Sequence, residues 1–151
     1  MKPISILLVE DNPGDIYLTQ EAFRESKFSN SLQVVKNGIE CMEFLRRRGK
    51  YSEAQMPDVI LLDLNLPKKN GREVLAEIKR DDRLKYIPVI VLTSSQNEKD
   101  IRSSYELNAN CYITKPVDYD EFIHIIRAIE NFWFSIVKLP QNRFLEAGTF
   151  P

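Results

Sequence analysis

The chain has 151 residues, 43% hydrophobic and 28% charged, which fits one globular domain whose core needs no disulfide or metal. Its 21 basic and 22 acidic side chains leave a formal net charge of −1, so no basic face argues for nucleic-acid binding. No apolar stretch reaches the ~20 residues of a membrane span, and Glu10-Asp11 cuts the first apolar run too early for a signal peptide.

Strand and helix alternate five times along the chain. Strands are expected over 4–9, 32–36, 58–63, 87–93 and 111–114; the third and fourth are nearly unbroken apolar runs, as central parallel strands covered on both faces should be. Between them lie helical spacings: Ile39, Met42 and Leu45; Val74, Leu75 and Ile78; Ile101, Tyr105 and Leu107. Helix starts follow each strand. Asn12-Pro13-Gly14-Asp15 offers a cap, a proline at the first helical position and an acid in the first turn. Cap and acid recur at Asn37/Glu40, Asn70/Glu73, Ser95/Glu98 and Asp118/Glu121. Arg46-Arg47-Arg48-Gly49-Lys50 reads as a solvated helix end, and residues 49–57 form the longest connector. Periodicity fades after Pro140, dividing the chain into a domain over 1–138 and a tail over 139–151. The expected fold is α/β, a doubly wound five-stranded parallel sheet of order 2-1-3-4-5 with an extended C-terminal helix.

Four strands end on polar residues: Val9 runs into Glu10-Asp11, Leu62 into Asp63, Leu92 into Thr93-Ser94, and Thr114 into Lys115-Pro116. In an open parallel sheet such residues converge on one crevice. Glu10, Asp11 and Asp63 would crowd there, and two carboxylates about 5 Å apart repel by roughly 3 kcal/mol at an effective dielectric near 20. A magnesium ion relieves this with oxygen ligands, the Asn65 carbonyl being a further candidate. Pro116 holds Lys115 extended, so its ammonium can reach toward Asp63 and a phosphoryl oxygen. Thr93 and Ser94 can donate hydroxyl bonds to the same oxygens. Thr93 and Lys115 stand at strand ends rather than in apolar positions, which assigns them to holding a phosphoryl group more than to the fold.

Val9-Glu10-Asp11-Asn12, Leu62-Asp63-Leu64-Asn65-Leu66-Pro67 with Gly71, Leu92-Thr93-Ser94 and Lys115-Pro116 together resemble a response-regulator receiver domain of the chemotaxis-regulator (CheY-like) type, over about 4–135. The resemblance implies that Asp63 accepts a phosphoryl group from a sensor histidine kinase. It also implies that Asp11 and Asp63 ligate Mg2+ with Glu10 acting through water, that Thr93 and Lys115 contact the phosphoryl group, and that Tyr112 is the aromatic switch. The first helix, the 49–57 connector, Phe132-Trp133 and Leu139-Pro140 are similar to single-domain regulators paired with cyanobacterial phytochromes, which implies a phytochrome-type kinase as partner and a downstream phosphotransfer or output protein. Such a protein is cytoplasmic and no enzyme beyond its own phosphorylation and dephosphorylation.

Two alternatives stand beside this. A haloacid-dehalogenase-like phosphohydrolase also uses a strand-end aspartate, a threonine, a lysine and magnesium, but needs an acid two residues after its nucleophile, where this chain has Asn65. A non-phosphorylated interaction module of the same fold usually lacks the aspartate or the lysine. His124, inside the last helix, is read as a surface histidine outside the site. Cys41 and Cys111 are read as thiols of a reducing cytosol, and the chain carries no zinc signature.

The last helix points to self-association. At 100° per residue, Phe122, Ile126, Ile129, Trp133 and Ile136 form the stripe expected on the sheet, flanked by Ile125 and Phe132 on one side and Ile123 and Phe134 on the other. That arc is wider than one core-facing stripe needs. A homodimer through Ile125, Phe132, Trp133 and Phe134 is expected, unless residues 138–151 cover the surface.

Overall fold

The computed structural model describes residues 3–140. Five strands, β1 (Ile4–Val9), β2 (Asn30–Val35), β3 (Val59–Leu62), β4 (Val89–Thr93) and β5 (Cys111–Thr114), alternate with α1 (Pro13–Arg24), α2 (Gly38–Leu45), α3 (Gly71–Arg80), α4 (Glu98–Glu106) and α5 (Tyr119–Ile129). All pairings are parallel, in the order β2-β1-β3-β4-β5. β3 and β4 are buried along their whole length, as their apolar runs require, and β5 is a half-buried edge. Alternation sorts the side chains onto two faces. Leu7, Val9, Ile60 and Leu62 pack under α2 and α3, while Ile6, Leu8, Leu61 and Leu92 pack under α1 and α5.

Four of the five expected caps hold: Asn12, Asn37 and Asp118 accept the N–H of Asp15, Glu40 and Glu121, and Asn70 with Glu73 closes a reciprocal capping box. α4 differs. Its cap is Asn97, two residues past the expected Ser95, whose hydroxyl instead donates to Asp100 at 2.6 Å. Ile39, expected in the α2 stripe, is half exposed, and Cys41, Met42, Phe44 and Leu45 fill that core instead. Tyr105 of α4 is likewise half exposed. Both cysteines are free thiols.

The chain's end departs most from its expected pattern. After Ile129 the helix widens into a π-helix (Glu130–Ile136), closed by Val137 N–H donating to the Phe132 carbonyl. Its i→i+5 bonds abandon the 3.6-residue turn, so a stripe counted at 100° slips. Ile136, expected on the sheet, is 69% exposed, and Phe134, expected outside, turns in against Phe23 and Phe28 with ring centroids at 6.2 and 5.9 Å. Ile125 and Trp133 pack partly on the α1–α5 core, beside Cys111 on the same core. Of the four dimer-surface candidates, Phe132 alone is as much as half exposed; Phe134 is spent on α1. Glu130, buried, accepts from Ser26 and from Arg127, which also donates to the Ala22 carbonyl at 2.7 Å, fixing the segment to α1. Residues 141–151 of the expected tail lie outside the described residues. No helix among the described residues is long and apolar enough to cross a membrane.

Candidate functional site

The carboxyl ends of β1, β3, β4 and β5 meet at one edge, as the strand order dictates. Asp63 directly follows β3 and is 6% exposed, and its backbone N–H donates to the Val9 carbonyl. The next turn is fixed by a close approach. A Cβ on Gly71 would strike the Asp63 carbonyl oxygen and lie 2.5 Å from Leu64 Cα, so only glycine lets α3 start against this loop.

The two oxygens of Asp63 have different partners. Oδ1 accepts from the Thr93 hydroxyl at 2.8 Å and from the Asn65 amide at 3.1 Å. Oδ2 accepts from the Lys115 ammonium at 2.9 Å. The same ammonium donates to Glu10 Oε1 and, at 2.9 Å, to Asp15 Oδ2, which uses all three of its N–H groups. Glu10 Oε2 accepts the backbone N–H groups of Asp11 and Asn12 at 3.1 Å each.

Burial treats the two inner acids differently. Desolvation and the neighbouring Asp63 charge push Glu10 up to about 7, although Lys115 and the Asn12 amide pull the other way. Asp63 suffers desolvation too, but Lys115, the Asn65 amide and the Thr93 hydroxyl outweigh it and hold its carboxyl below the usual range. Burial opposes the charge on Lys115, but bonds to Glu10, Asp63 and Asp15 more than offset this and raise its pKa. Asp63 is therefore an ionised, ordered carboxylate beside a committed cation.

The expected residues are only partly gathered. Glu10, Asp63, Thr93 and Lys115 meet. Asp11 is exposed, and its carboxylate makes no bond to the described residues; Asn65 is exposed as well. Ser94 is exposed and outside the bond network. Tyr112 is half-buried, its hydroxyl donating to the Ser95 carbonyl at 2.9 Å, one turn of loop beyond Thr93. His124 is exposed on α5, away from the site. The third carboxylate at the ammonium is Asp15, which by sequence alone is only an acid in the first turn of α1. Its partner lies 100 residues away, so no local signal could find it.

Among the described residues no three acids, histidines or cysteines form a ready metal cluster; Lys115 stands between the inner carboxylates. The donor set is nevertheless one of hard oxygens, with the Asp11 carboxylate open to solvent. Such donors suit Mg2+, Mn2+ or Ca2+ rather than zinc.

Comparison with known proteins agrees with this geometry. The response regulator receiver domain family matches residues 6–127. Response regulator Rcp1 of Synechocystis is 49% identical over 138 residues, covering 91% of this chain and 94% of Rcp1. The crystal structure of the phosphorylated cyanobacterial phytochrome response regulator RcpA superposes with a TM-score of 0.90 at 52% identity, covering 93% of this chain and all of that one. The Mn2+-bound form of Rcp1 gives 0.89 at 48% identity, over 92% of this chain and all of that one. Nothing in these matches favours the phosphohydrolase or the non-phosphorylated module. The chain belongs to the response regulator receiver domain family and acts as a phosphoacceptor in two-component signalling.

Proposed function

We propose that Asp63 is the residue that accepts the phosphoryl group, and that a sensor histidine kinase of the phytochrome type supplies it. The observation that carries the reading is the division of labour on Asp63: Thr93 and the Asn65 amide hold one oxygen, Lys115 the other, with the carboxylate ionised though buried. A relative supports the kinase class, since RcpA is a phytochrome response regulator and its crystal structure is of the phosphorylated form.

In the reaction a carboxylate oxygen of Asp63 forms the bond to phosphorus, and the donor leaves with the electron pair of its own bond to phosphorus, giving an acyl phosphate. Lys115 neutralises oxygen charge on the transferring group. Glu10, Asp11, Asp63 and the Asn65 carbonyl would hold Mg2+, which when bound neutralises the phosphoryl oxygens and the crowded acids; a relative solved with Mn2+ supports a divalent ion here. The product carries close to two negative charges. Thr93 then turns its hydroxyl from Asp63 to a phosphoryl oxygen, with Ser94 beside it as a second donor. The space it leaves admits the ring of Tyr112, which gives up its bond to the Ser95 carbonyl. The result is a population shift on the α4–β5–α5 face.

That face hands the signal to a downstream phosphotransfer or output protein in the cytoplasm. The chain acts on no substrate besides its own aspartate and binds no nucleic acid. Homodimerisation belongs to the same proposal, through Phe132 and the exposed Ile136 with the rims of Ile125 and Trp133. Phosphotransfer profiling tests the reading. The phosphorylated kinase domain of a phytochrome should label this chain within seconds to minutes and only with a divalent ion. Faster labelling by unrelated kinases, or full labelling in excess chelator, would overturn the partner or the metal respectively.

A further inference from the structure

Lys115 has three N–H groups and three carboxylate partners on three different elements: Glu10 after β1, Asp63 after β3, and Asp15 in the first turn of α1. We propose that Asp15 is a positioning residue, which holds the Lys115 ammonium over Asp63 so that the lysine meets a phosphoryl group arriving there. The inference rests on the reading of Asp63 as the phosphoacceptor and deepens it by one residue.

Three observations carry it. The ammonium is nearly buried, 7% of its side chain exposed, on a flexible four-carbon stem whose direction must be fixed from outside. Asp15 can fix it because it is itself held. Its N–H donates to the Asn12 cap at 3.0 Å, and the Thr19 hydroxyl donates to its carbonyl at 2.7 Å, which leaves the carboxylate free to aim at Lys115. A helix-start acid needs only to stand near the first-turn amides. A 2.9 Å bond to a lysine at the end of β5 is more than that role asks for.

The consequence appears during transfer. A lone pair of an Asp63 oxygen forms the new oxygen–phosphorus bond. With acetyl phosphate as donor, the bond from phosphorus to the bridging oxygen breaks and acetate leaves with that electron pair; no proton or redox partner is required. The Lys115 N–H that had been bonded to Asp63 turns to a phosphoryl oxygen, and the other two remain on Glu10 and Asp15. Without Asp15 the ammonium hangs from Glu10 alone and swings, so the cost falls on the transferring group rather than on the resting fold.

The full chain is incubated with acetyl phosphate and Mg2+, and phosphorylation is followed by intact mass in wild type, Asp15→Ala, Asp15→Asn, Lys115→Met and Asp15→Ala/Lys115→Met, with Asp63→Asn as the control for the acceptor. Asp15→Ala should slow labelling roughly five- to tenfold, as loss of one partly buried charge-assisted bond does. In the Lys115→Met background the same change should have no further effect, because its route is gone. Equal slowing in both backgrounds overturns the proposal, since a merely structural loss acts in both. No slowing, or faster labelling, overturns it too and makes Asp15 a repelling charge at most. If Lys115→Met labels too slowly to follow, Asp15→Asn decides. It keeps an oxygen acceptor, so labelling faster than Asp15→Ala supports positioning, and labelling equal to Asp15→Ala overturns it. Labelling of Asp63→Asn equal to wild type is a different failure; it removes the acceptor reading, and this inference with it.

Discussion

Replacing Lys115 by methionine removes the cation that the described residues place between two buried carboxylates. Methionine is the informative choice because its unbranched chain fills the space of the lysine stem and leaves packing nearly intact. Exposure of the three side chains is 7% for Lys115, 3% for Glu10 and 7% for Asp63. At 2.9 Å and an effective dielectric near 20, the attraction between Lys115 and Asp63 is roughly 6 kcal/mol. Not all of it is lost from stability. Glu10, already pushed up to about 7, escapes by taking a proton, and Asp63 keeps its Asn65 and Thr93 donors. Breaking a buried pair from one side usually costs 3–5 kcal/mol; with that relief, about 2–4 kcal/mol remains. For a domain of this length that is a fall in melting temperature of roughly 4–16 °C. Thermal and guanidinium unfolding in chelator at neutral pH measures it. A variant within about 0.5 kcal/mol of wild type would refute the reasoning, because the two acids would then need no cation. A cost of that size would mean that the lysine serves the fold as well as the phosphorylated state; a smaller one would leave it chiefly to the phosphorylated state, as its strand-end position implies.

Gly71→Ala should cost more than about 2 kcal/mol and slow phosphorylation, since the new Cβ meets backbone of the Asp63-Leu64 turn that cannot swing aside; an unfolding midpoint equal to wild type would show that the turn can give. Phe134→Ala should lower stability by about 1–3 kcal/mol through the lost contacts with Phe23 and Phe28, whereas Phe132→Ala should leave it nearly unchanged and weaken only self-association in sedimentation; the reverse pattern would place the π-helix differently. Glu77 is desolvated, yet its bonds to Lys69 and Arg46 hold its carboxyl below the usual range. A depressed carboxylate stabilises the fold above the unfolded value and loses that contribution as pH falls, so Glu77→Gln should cost about 0.5–1 kcal/mol at neutral pH and progressively less in acid. A cost independent of pH would rule out the ion pairs as its source.

The fold was legible because its signals are local and repeated. Apolar runs such as Val59-Ile60-Leu61-Leu62 specify central strands by themselves, and β3 and β4 are buried throughout. Asp63, Thr93 and Lys115 were legible for the same reason, since a polar residue closing such a run is conspicuous. What was illegible depends on distance or on backbone geometry. Ser95 and Asn97 both suit a cap, and only the observed bonds choose Asn97. Nothing in Glu130–Ile136 signals a switch from i→i+4 to i→i+5 bonding, so a count at 100° per residue gives the aromatic stripe the wrong period and puts Phe134 on its outer flank. Asp15 reaches Lys115 only because the fold brings the first turn of α1 and the lysine side chain to the same sheet edge, which no window of sequence contains.

The central claim is that Asp63 alone takes the phosphoryl group. It is tested by treating wild type and Asp63→Asn with acetyl phosphate and Mg2+, then weighing the intact chains and mapping the label by peptide mass. Wild type should gain one phosphoryl group on the peptide that contains Asp63, and Asp63→Asn should gain none. Equal labelling of the two, or a stable label on any other residue of wild type, would contradict it.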